Sequence, residues 1–433
     1  MSEQKRQKGD DGTHIIPRNN DAIDIDDDDG LPDWCLCPIS SEVMEQPVNM
    51  DSEKCECVVD EISFGEYALL QAFLKKATER CPACGDKLRS DRVQRIPVLR
   101  DAIQKAVQDK RSSAAAAAAT AKPTLLSTTS IELDLDSVPP DIAAMVREIA
   151  DATTEDMVAE ACQKISAAAR NSAARNSAED RVQIGKAGGM PLVVAAMAQY
   201  QESAAVQEQA CWALCCLAID SNNQKAIGKA DRVEAVVSAM RRHEESVGVQ
   251  ELACGALVNL SVNDGNDYAI AKVGGIEALI SAMQHHEDSV RVQAEACGAL
   301  ANLACNSNNN QTAIAKGGGI EAVVSAMRGH EGLAGVQMKA CAALGNLASN
   351  NNADRITIAK AGGIEAVVLA MRRHEDSAWV QKLACAVLYN LSVASSNLPI
   401  MRKEQPRQLL EAAKARFPSE CSYDASVLIN KLG

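Results

Sequence analysis

Two closely spaced pairs of cysteines near the N-terminus form the clearest constellation able to do chemistry. Cys55-x-Cys57 and Cys81-x-x-Cys84 supply four thiols, and four thiolates in a tetrahedron are a common structural zinc site. The chain starts with MSEQKRQKGDDG, which lacks the apolar stretch of an export signal. We therefore expect a reducing compartment, cytoplasmic or nuclear, where the cysteines remain thiols and can hold one zinc ion.

The other residue types exclude several kinds of chemistry and of partner. The sequence shows no nucleophile–base pair, no phosphate-binding loop and no cofactor site, so we predict no covalent catalytic residue on this chain. The formal net charge of −14 repels a phosphate backbone, which argues against nucleic-acid partners. No stretch of about 18 apolar residues is present, so no membrane span is expected.

From about residue 141 the sequence repeats itself, and this repetition must position any binding surface. The phrase begins at Ile184, Ile227, Ile270, Ile314 and Ile358, at spacings of 43, 43, 44 and 44 residues. A period of this length is typical of solenoid units built from two or three helices. In one copy Ile320, Val323, Val324 and Met327 have helical spacing. Each unit is too small to bury its own apolar face, so neighbours must stack.

Three further features recur once in each unit. A glycine pair, such as Gly274-Gly275, is predicted to end the first helix and turn the chain. The cysteines at one register are predicted to be small packing residues beside a buried alanine: Cys162, Cys211, Cys254, Cys297, Cys341 and Cys385. The histidines that follow the second helix are predicted to cap its C-terminus rather than bind metal: His243, His286, His330 and His374.

The repeated phrase, AGGIEAVV followed by VQ and ACGALANLA, resembles the armadillo repeat over residues 141–433. The resemblance implies a right-handed superhelix whose third helices line a concave groove. In armadillo proteins an asparagine ladder on those helices grips an extended peptide, because an amide offers both a donor and an acceptor. The substrate-binding residues predicted on this basis are Trp212, Asn259, Asn302, Asn346 and Asn390. The alternative is that these amides satisfy neighbouring backbone.

One departure from the family pattern narrows the class of peptide expected in the groove. Import receptors of this family place a tryptophan four residues before each asparagine, and here those positions hold Gly255, Gly298, Ala342 and Ala386. The tryptophan occurs at Trp212, where its partner position is Cys216. A lysine-rich import signal is therefore not the expected occupant.

Residues 31–107 resemble a U-box, the RING-shaped module of ubiquitin ligases. The matching motifs are Cys37-Pro-Ile-Ser with a following Pro47-Val48, Cys81-Pro-x-x-Gly-x-x-Leu, and Leu99-Arg-x-Ala-Ile. The resemblance implies a docking site for a ubiquitin-charged E2 enzyme, formed by Ile39, Pro82 and Phe73. Such a module works by holding the thioester near a substrate lysine, so proximity and orientation supply the rate.

Two departures keep other interpretations open. The middle of the segment lacks the usual Gly-x-Thr-Tyr-Asp-Arg, and Gly85 stands where many RING-type ligases place an arginine. One alternative is a SUMO ligase with a one-zinc RING, in which Cys55, Cys57, Cys81 and Cys84 hold the metal; the metal-free U-box needs no cofactor. The other is a non-catalytic armadillo scaffold.

The sequence thus predicts a mostly α protein of four segments. These are an acidic tail that is predicted to be disordered (1–30), a small α+β U-box or RING-like domain (31–107), an Ala/Ser/Thr-rich linker (108–140) and an armadillo-type α-solenoid (141–433). The leading functional prediction is an E3 ubiquitin ligase that binds its protein substrate in the solenoid groove.

Overall fold

The computed structural model describes residues 131–170, 177–228 and 230–433, together with four short strands. By contacts the chain divides into two units, one of Met1–Ile23 with Pro123–Gly433 and one of Asp24–Lys122. In the first unit, β1 (Gln7–Lys8) pairs antiparallel with β2 (His14–Ile15).

The second unit contains one described sheet. Here β3 (Pro47–Asn49) pairs antiparallel with β4 (Val58–Asp60), with Val48 opposite Val59. Apart from these two strands, the predicted U-box segment lies outside the described residues. The predicted acidic tail is described only at β1 and β2, and the predicted linker only from residue 131 onward.

Twenty helices follow between residues 140 and 432 of the described chain. In order they are α1 (Pro140–Asp151), α2 (Glu155–Ala169), α3 (Ser177–Lys186), α4 (Gly189–Gln199), α5 (Ala204–Leu217), α6 (Ser221–Ile227), α7 (Ala230–Arg242), α8 (Val247–Ser261), α9 (Asp267–Lys272), α10 (Gly275–His285), α11 (Val290–Ala304), α12 (Asn308–Lys316), α13 (Gly319–Gly329), α14 (Ala334–Ala348), α15 (Asn352–Lys360), α16 (Gly363–Arg373), α17 (Ala378–Leu391), α18 (Leu398–Glu404), α19 (Arg407–Arg416) and α20 (Pro418–Leu432). A 3₁₀ turn, Ser395–Asn397, precedes α18.

The helices form repeating triplets, and the third helix of each triplet carries most of the packing. The third helices are α2, α5, α8, α11, α14, α17 and α20, and each packs along its successor. Their apolar residues are almost fully buried; in α14, for example, Val336, Ala340, Leu344 and Leu347 are 0–1% exposed. The helical stacking of units expected from the repeat is therefore what the structure shows.

The glycine pair turns the chain as predicted, and its two residues are needed for different reasons. The first glycine, Gly318 in the clearest unit, has φ +84° with no atom near an added Cβ, so it supplies a left-handed backbone. The second, Gly319, begins α13, and a Cβ there would lie 2.5 Å from Ile314 Cγ2. The pair thus combines a backbone that favours glycine with a close helix approach.

Each third helix also begins in a defined way. Ser203, Ser246, Ser289 and Ser377 each accept a hydrogen bond from the backbone N–H three residues on, which caps α5, α8, α11 and α17. In α14 this position is Leu333, and no side-chain cap forms. The serine caps fix where these four third helices start, and therefore the register of their exposed faces.

The cysteine ladder packs as predicted. All six cysteines of the register are 0% exposed. Burial raises the pKa of Cys162, Cys211, Cys297 and Cys341 to about 12. These thiols are small core residues that stay protonated at neutral pH.

Candidate functional site

The third helices share one side on which most residues are partly exposed, and we call this side the groove face. Its positions recur every 43 or 44 residues. Four registers define it on α5, α8, α11, α14 and α17: Ala205, Gly248, Arg291, Gly335 and Trp379; Glu208, Glu251, Ala294, Met338 and Lys382; Gln209, Leu252, Glu295, Lys339 and Leu383; and Trp212, Gly255, Gly298, Ala342 and Ala386.

The predicted asparagine ladder lies between the third helices and not on this surface. Asn259, Asn302, Asn346 and Asn390 are 5%, 4%, 1% and 0% exposed. Each Nδ2 donates to a backbone carbonyl of the preceding third helix, such as Asn346 to Ala301 O at 2.9 Å and Asn390 to Gly345 O at 3.0 Å. The alternative stated from sequence, satisfaction of neighbouring backbone, describes these bonds. A peptide-binding role stays a prediction, and it would require the amides to give up these contacts.

A second set of buried amides joins the third helix to the second. Gln337, 1% exposed, donates from Nε2 to Met327 O at 2.9 Å and to His330 O at 2.8 Å. Gln207, Gln250, Gln293 and Gln381 make the corresponding pair of bonds in their own units. The end carbonyls of the second helices, which lack helical partners, are thereby satisfied.

The histidines have a role that was not foreseen from sequence. His286, His330 and His374 are the C-cap residues of their second helices, as predicted. At the end of α7 the backbone N–H of His243 bonds to Ala239 O in the same way. The Nε2 of each histidine also lies within hydrogen-bonding distance of a carbonyl in the previous unit: His286 to Glu244 O at 2.7 Å, His330 to Glu287 O at 2.9 Å. His243 and His374 repeat the contact at 2.9 and 2.8 Å. The histidines therefore link consecutive units, and no metal-ligand cluster is found in the part of the chain that the structure describes.

Ion pairs cross the groove face between neighbouring third helices. Glu295 Oε1 lies 3.2 Å from Lys339 Nζ, and both side chains are largely buried, at 8% and 12% exposed. Glu295 Oε2 is buried without a hydrogen-bond partner. One unit earlier, Glu251 lies 4.0 Å from Arg291 and accepts a hydrogen bond from Ser289 Oγ at 2.8 Å. The centre of the face is therefore charged but locally balanced.

The start of the face is acidic. The pKa of Glu208 is raised, first by its burial and then by the charge of Glu251. Burial is the larger cause, so the raised pKa marks Glu208 as a partly desolvated carboxylate, with a smaller contribution from repulsion by Glu251.

The far end of the face is basic and aromatic. The Trp379 side chain is 54% exposed, and Lys382 Nζ lies 4.6 Å from its ring centroid. No carboxylate occupies the four groove registers of α14 and α17, while Lys339 and Lys382 do. A large exposed ring beside a cation is a typical anchor for a protein partner.

Small side chains run down the middle of the face. The register begins at the half-buried Trp212 and continues with Gly255, Gly298, Ala342 and Ala386. A Cβ at Gly298 would meet Lys339 Cδ and Val258 Cγ2, both at 3.4 Å, so even the glycines have near neighbours. Among the small residues Gly298 and Ala342 are partly exposed, while Gly255 and Ala386 are buried. The predicted substrate-binding role of Trp212 stays a prediction.

The predicted N-terminal site residues cannot be placed in the same way. Ile39, Phe73 and Pro82, the proposed E2-docking residues, lie outside the described residues, and so do the proposed zinc ligands Cys55, Cys57, Cys81 and Cys84. Their roles therefore stay predictions.

Among the described residues no single helix is long and apolar enough to cross a bilayer. One bent helix pair, Ala378–Leu391 with Ser395–Glu404, meets the test by length and composition alone, with a bend of 114°. Most of the first helix of this pair is buried against its neighbours.

Comparison with protein families supports the repeat assignment. Residues 261–416 match the family described as the LRRK2 ARM repeat. A search of curated proteins found no match to the chain.

Solved structures give the same architecture. An engineered protein from the Northeast Structural Genomics Consortium is 28% identical with a TM-score of 0.51, covering 59% of this chain and 97% of that one. A second engineered protein from the same source is 27% identical with a TM-score of 0.58, covering 67% and 68%. A structure from a study of the cadherin–β-catenin interaction is 20% identical with a TM-score of 0.57, covering 67% of this chain and 53% of that one.

The repeats, the third-helix stack and these matches define the class of protein. The chain is mostly helical and carries an armadillo-type solenoid, which is a repeat architecture built to bind other proteins on an extended face.

Proposed function

We propose that this chain is a protein-binding scaffold that holds an extended segment of a partner on the groove face. The observation that carries the proposal is the register of small residues on α8, α11, α14 and α17, which lies beside charged and aromatic positions of the same face. Repeat arrays use such long faces to bind partners. The structural neighbour at 20% identity comes from work on the interaction of β-catenin with cadherin, a protein partner.

The charges on the face indicate the chemistry of the partner segment. Glu208, a partly exposed carboxylate, favours a basic residue near α5, whereas Glu251 already lies near Arg291. At the other end, Lys382 and the exposed Trp379 favour a carboxylate beside an apolar or aromatic side chain. We therefore propose a partner segment that is basic at one end and acidic and apolar at the other.

A matched pair of glycine substitutions tests the proposal. Gly335 lies on the groove face in α14, and Gly329 ends the second helix α13; an added Cβ meets nothing within 4 Å at either position. Gly335→Arg places a long side chain on the face, and Gly329→Arg makes the same change elsewhere. Both substitutions replace a poor helix former, so the fold should tolerate them.

The assay is selection of displayed random peptides on the purified full chain, followed by affinity measurement of the enriched peptides. Peptides should bind the unmodified chain and Gly329→Arg alike, and should lose at least tenfold in affinity for Gly335→Arg. Enriched peptides that bind all three proteins equally would show that the groove face is not the binding surface.

A second candidate function rests on the N-terminal motifs. The three U-box-like motifs occur in order within about 70 residues, which supports an E3 ubiquitin ligase that docks an E2 through Ile39, Pro82 and Phe73. The solenoid would then hold the substrate while the E2 transfers ubiquitin to it by proximity, with no covalent intermediate on this chain.

Transfer assays distinguish this candidate from a pure scaffold. The full chain is incubated with ubiquitin and a panel of E2 enzymes, beside Ile39→Ala and the control Ile62→Ala, which makes the same change outside the motifs. Ubiquitin chains lost only in Ile39→Ala would support the ligase; their persistence in Ile39→Ala would exclude the docking assignment. If no E2 gives transfer, the same assay with SUMO and its E2 separates the SUMO-ligase alternative from the non-catalytic scaffold.

A further inference from the structure

One segment of the chain itself contacts the third helices of the array. The backbone of β2 (His14–Ile15) lies against both α14 and α17, two consecutive third helices. By contacts Met1–Ile23 belongs with the solenoid and not with residues 24–122. An extended strand placed across two third helices is the arrangement expected of a groove ligand.

The strand is part of a small hairpin. β1 pairs with β2 so that Gln7 lies opposite Ile15 and Lys8 opposite His14. Residues 7–15 contain Lys8, Asp10 and Asp11, so their charges nearly cancel. The strand that contacts the array, His14–Ile15, contains no carboxylate.

This part of the groove face is largely apolar. Its two cations already have neighbours, since Lys339 pairs with Glu295 and Lys382 lies over the Trp379 ring. The remaining groove registers of α14 and α17 hold small or apolar residues, apart from Trp379, which is 54% exposed. The sequence at and after β2, His14-Ile-Ile-Pro17, supplies apolar residues of the kind that such positions accept.

We propose that residues 7–15 are a built-in occupant of the groove face over α14 and α17, which an outside partner segment must displace. The inference rests on the proposed function, because it treats the same face as the binding surface. It goes further by assigning the α14–α17 portion of the face to the β1–β2 hairpin, and by making the chain its own competitor.

The tether sets the size of the effect. A segment joined to its own site competes at an effective concentration of about 1 mM, the scale for tethered ligands. If the free segment binds with a Kd of about 50 µM, an outside peptide for the same site is weakened roughly 20-fold in the intact chain. Without the segment, the full affinity of the site is available.

The first experiment measures this competition with a synthetic fluorescent peptide of residues 5–18 and fluorescence anisotropy. The proteins are the full chain and a full-length variant in which residues 7–15 are replaced by a Gly/Ser sequence of equal length. The probe should bind the replaced chain roughly 20-fold more tightly. In the replaced chain, Gly335→Arg should abolish binding and the control Gly329→Arg should leave it unchanged.

Equal affinity of the probe for the intact and the replaced chain would overturn the inference. If the probe binds neither chain while selected peptides still bind in a manner sensitive to Gly335→Arg, the inference fails and the proposed function stands. If neither probe nor selected peptides bind either chain, both fail.

A second measurement needs no replacement of the segment. A photoreactive benzoylphenylalanine in place of Ile15 in the full chain should form crosslinks to α14 or α17 of the same molecule, mapped by mass spectrometry. Crosslinks found only outside these two helices would overturn the inference even if the anisotropy result were positive.

Discussion

Replacing Gln337 by methionine isolates the contribution of one amide to the cohesion of a unit. Methionine keeps the length and approximate shape of glutamine but donates no hydrogen bond. The change removes the two bonds from Nε2 to Met327 O and His330 O, both below 3 Å. Because Gln337 is 1% exposed, neither water nor another side chain can take its place without rearrangement.

The two carbonyls are affected unequally. His330 O still accepts the backbone N–H of Leu333 at 3.1 Å. Removal of its second hydrogen bond, from Gln337, therefore costs about 1 kcal/mol of stability. Met327 is 1% exposed, and leaving its carbonyl without this donor costs about 2 kcal/mol. Burying the more apolar methionine returns about 1 kcal/mol. The free energy needed to open the junction of α13 and α14 should therefore fall by about 2 kcal/mol.

Hydrogen exchange measured by mass spectrometry is the appropriate assay, because a repeat array can open locally without unfolding as a whole. A loss of about 2 kcal/mol should make amides at the α13–α14 junction exchange roughly 30-fold faster. The control is Gln284→Met, the same change at an exposed position of α10. If exchange at the junction in Gln337→Met stays within threefold of the control, the amide does not stabilise the unit as reasoned here.

Three other predictions follow from single features. Burial raises the pKa of Asp354 to about 6, above the unfolded value of about 3.9, so the ionised carboxylate costs stability above pH 6 and the cost fades towards pH 4. Asp354→Asn should therefore stabilise the fold against urea by about 1 kcal/mol at pH 7.5, allowing for solvent screening, and by much less at pH 4; an equal gain at both would contradict this. Gly318→Ala should cost about 1 kcal/mol from backbone strain alone, and Gly319→Ala about 3 kcal/mol because its Cβ meets Ile314; thermal unfolding giving the reverse order would refute the assignment. The ten described cysteines are buried, so a thiol reagent should label at most six of the 16 cysteines in the native chain. If zinc is bound by four of those six, they should become reactive only after a chelator is added. An unchanged number of labelled thiols after chelation would argue against the metal.

The period, the helices and the glycine turns could be predicted because each leaves a local trace in the sequence. A left-handed residue such as Gly318 and a close approach such as that of Gly319 both require glycine, and the third-helix cysteines read correctly as small core residues. These features depend on one residue and its immediate neighbours, so one chain is enough to find them.

The faces of the third helices were harder to predict. A shift of one residue along a helix rotates its side chain by about 100°, so spacing alone does not tell a groove position from one that faces the next helix. Asn346 and Asn390 fall on the inner side and bond to backbone 45 residues earlier. The reach of His330 to Glu287 O depends likewise on how neighbouring units are offset. The groove registers become clear from exposure, with Trp379 as the most visible signal.

The links between units also bear on how such a chain changes length over evolutionary time. Because each histidine and each third-helix asparagine reaches one period back, the donor in one unit meets the same kind of acceptor in any other. Excision of one whole 44-residue period after residue 314 would bring His374 to Glu287 O and Asn390 to Ala301 O. Both are acceptors already used by the residues removed, His330 and Asn346. Loss of this period thus alters the number of binding positions while keeping the histidine and asparagine links, although Leu383 would take the place of Lys339 beside Glu295 and the ion pair there would be lost.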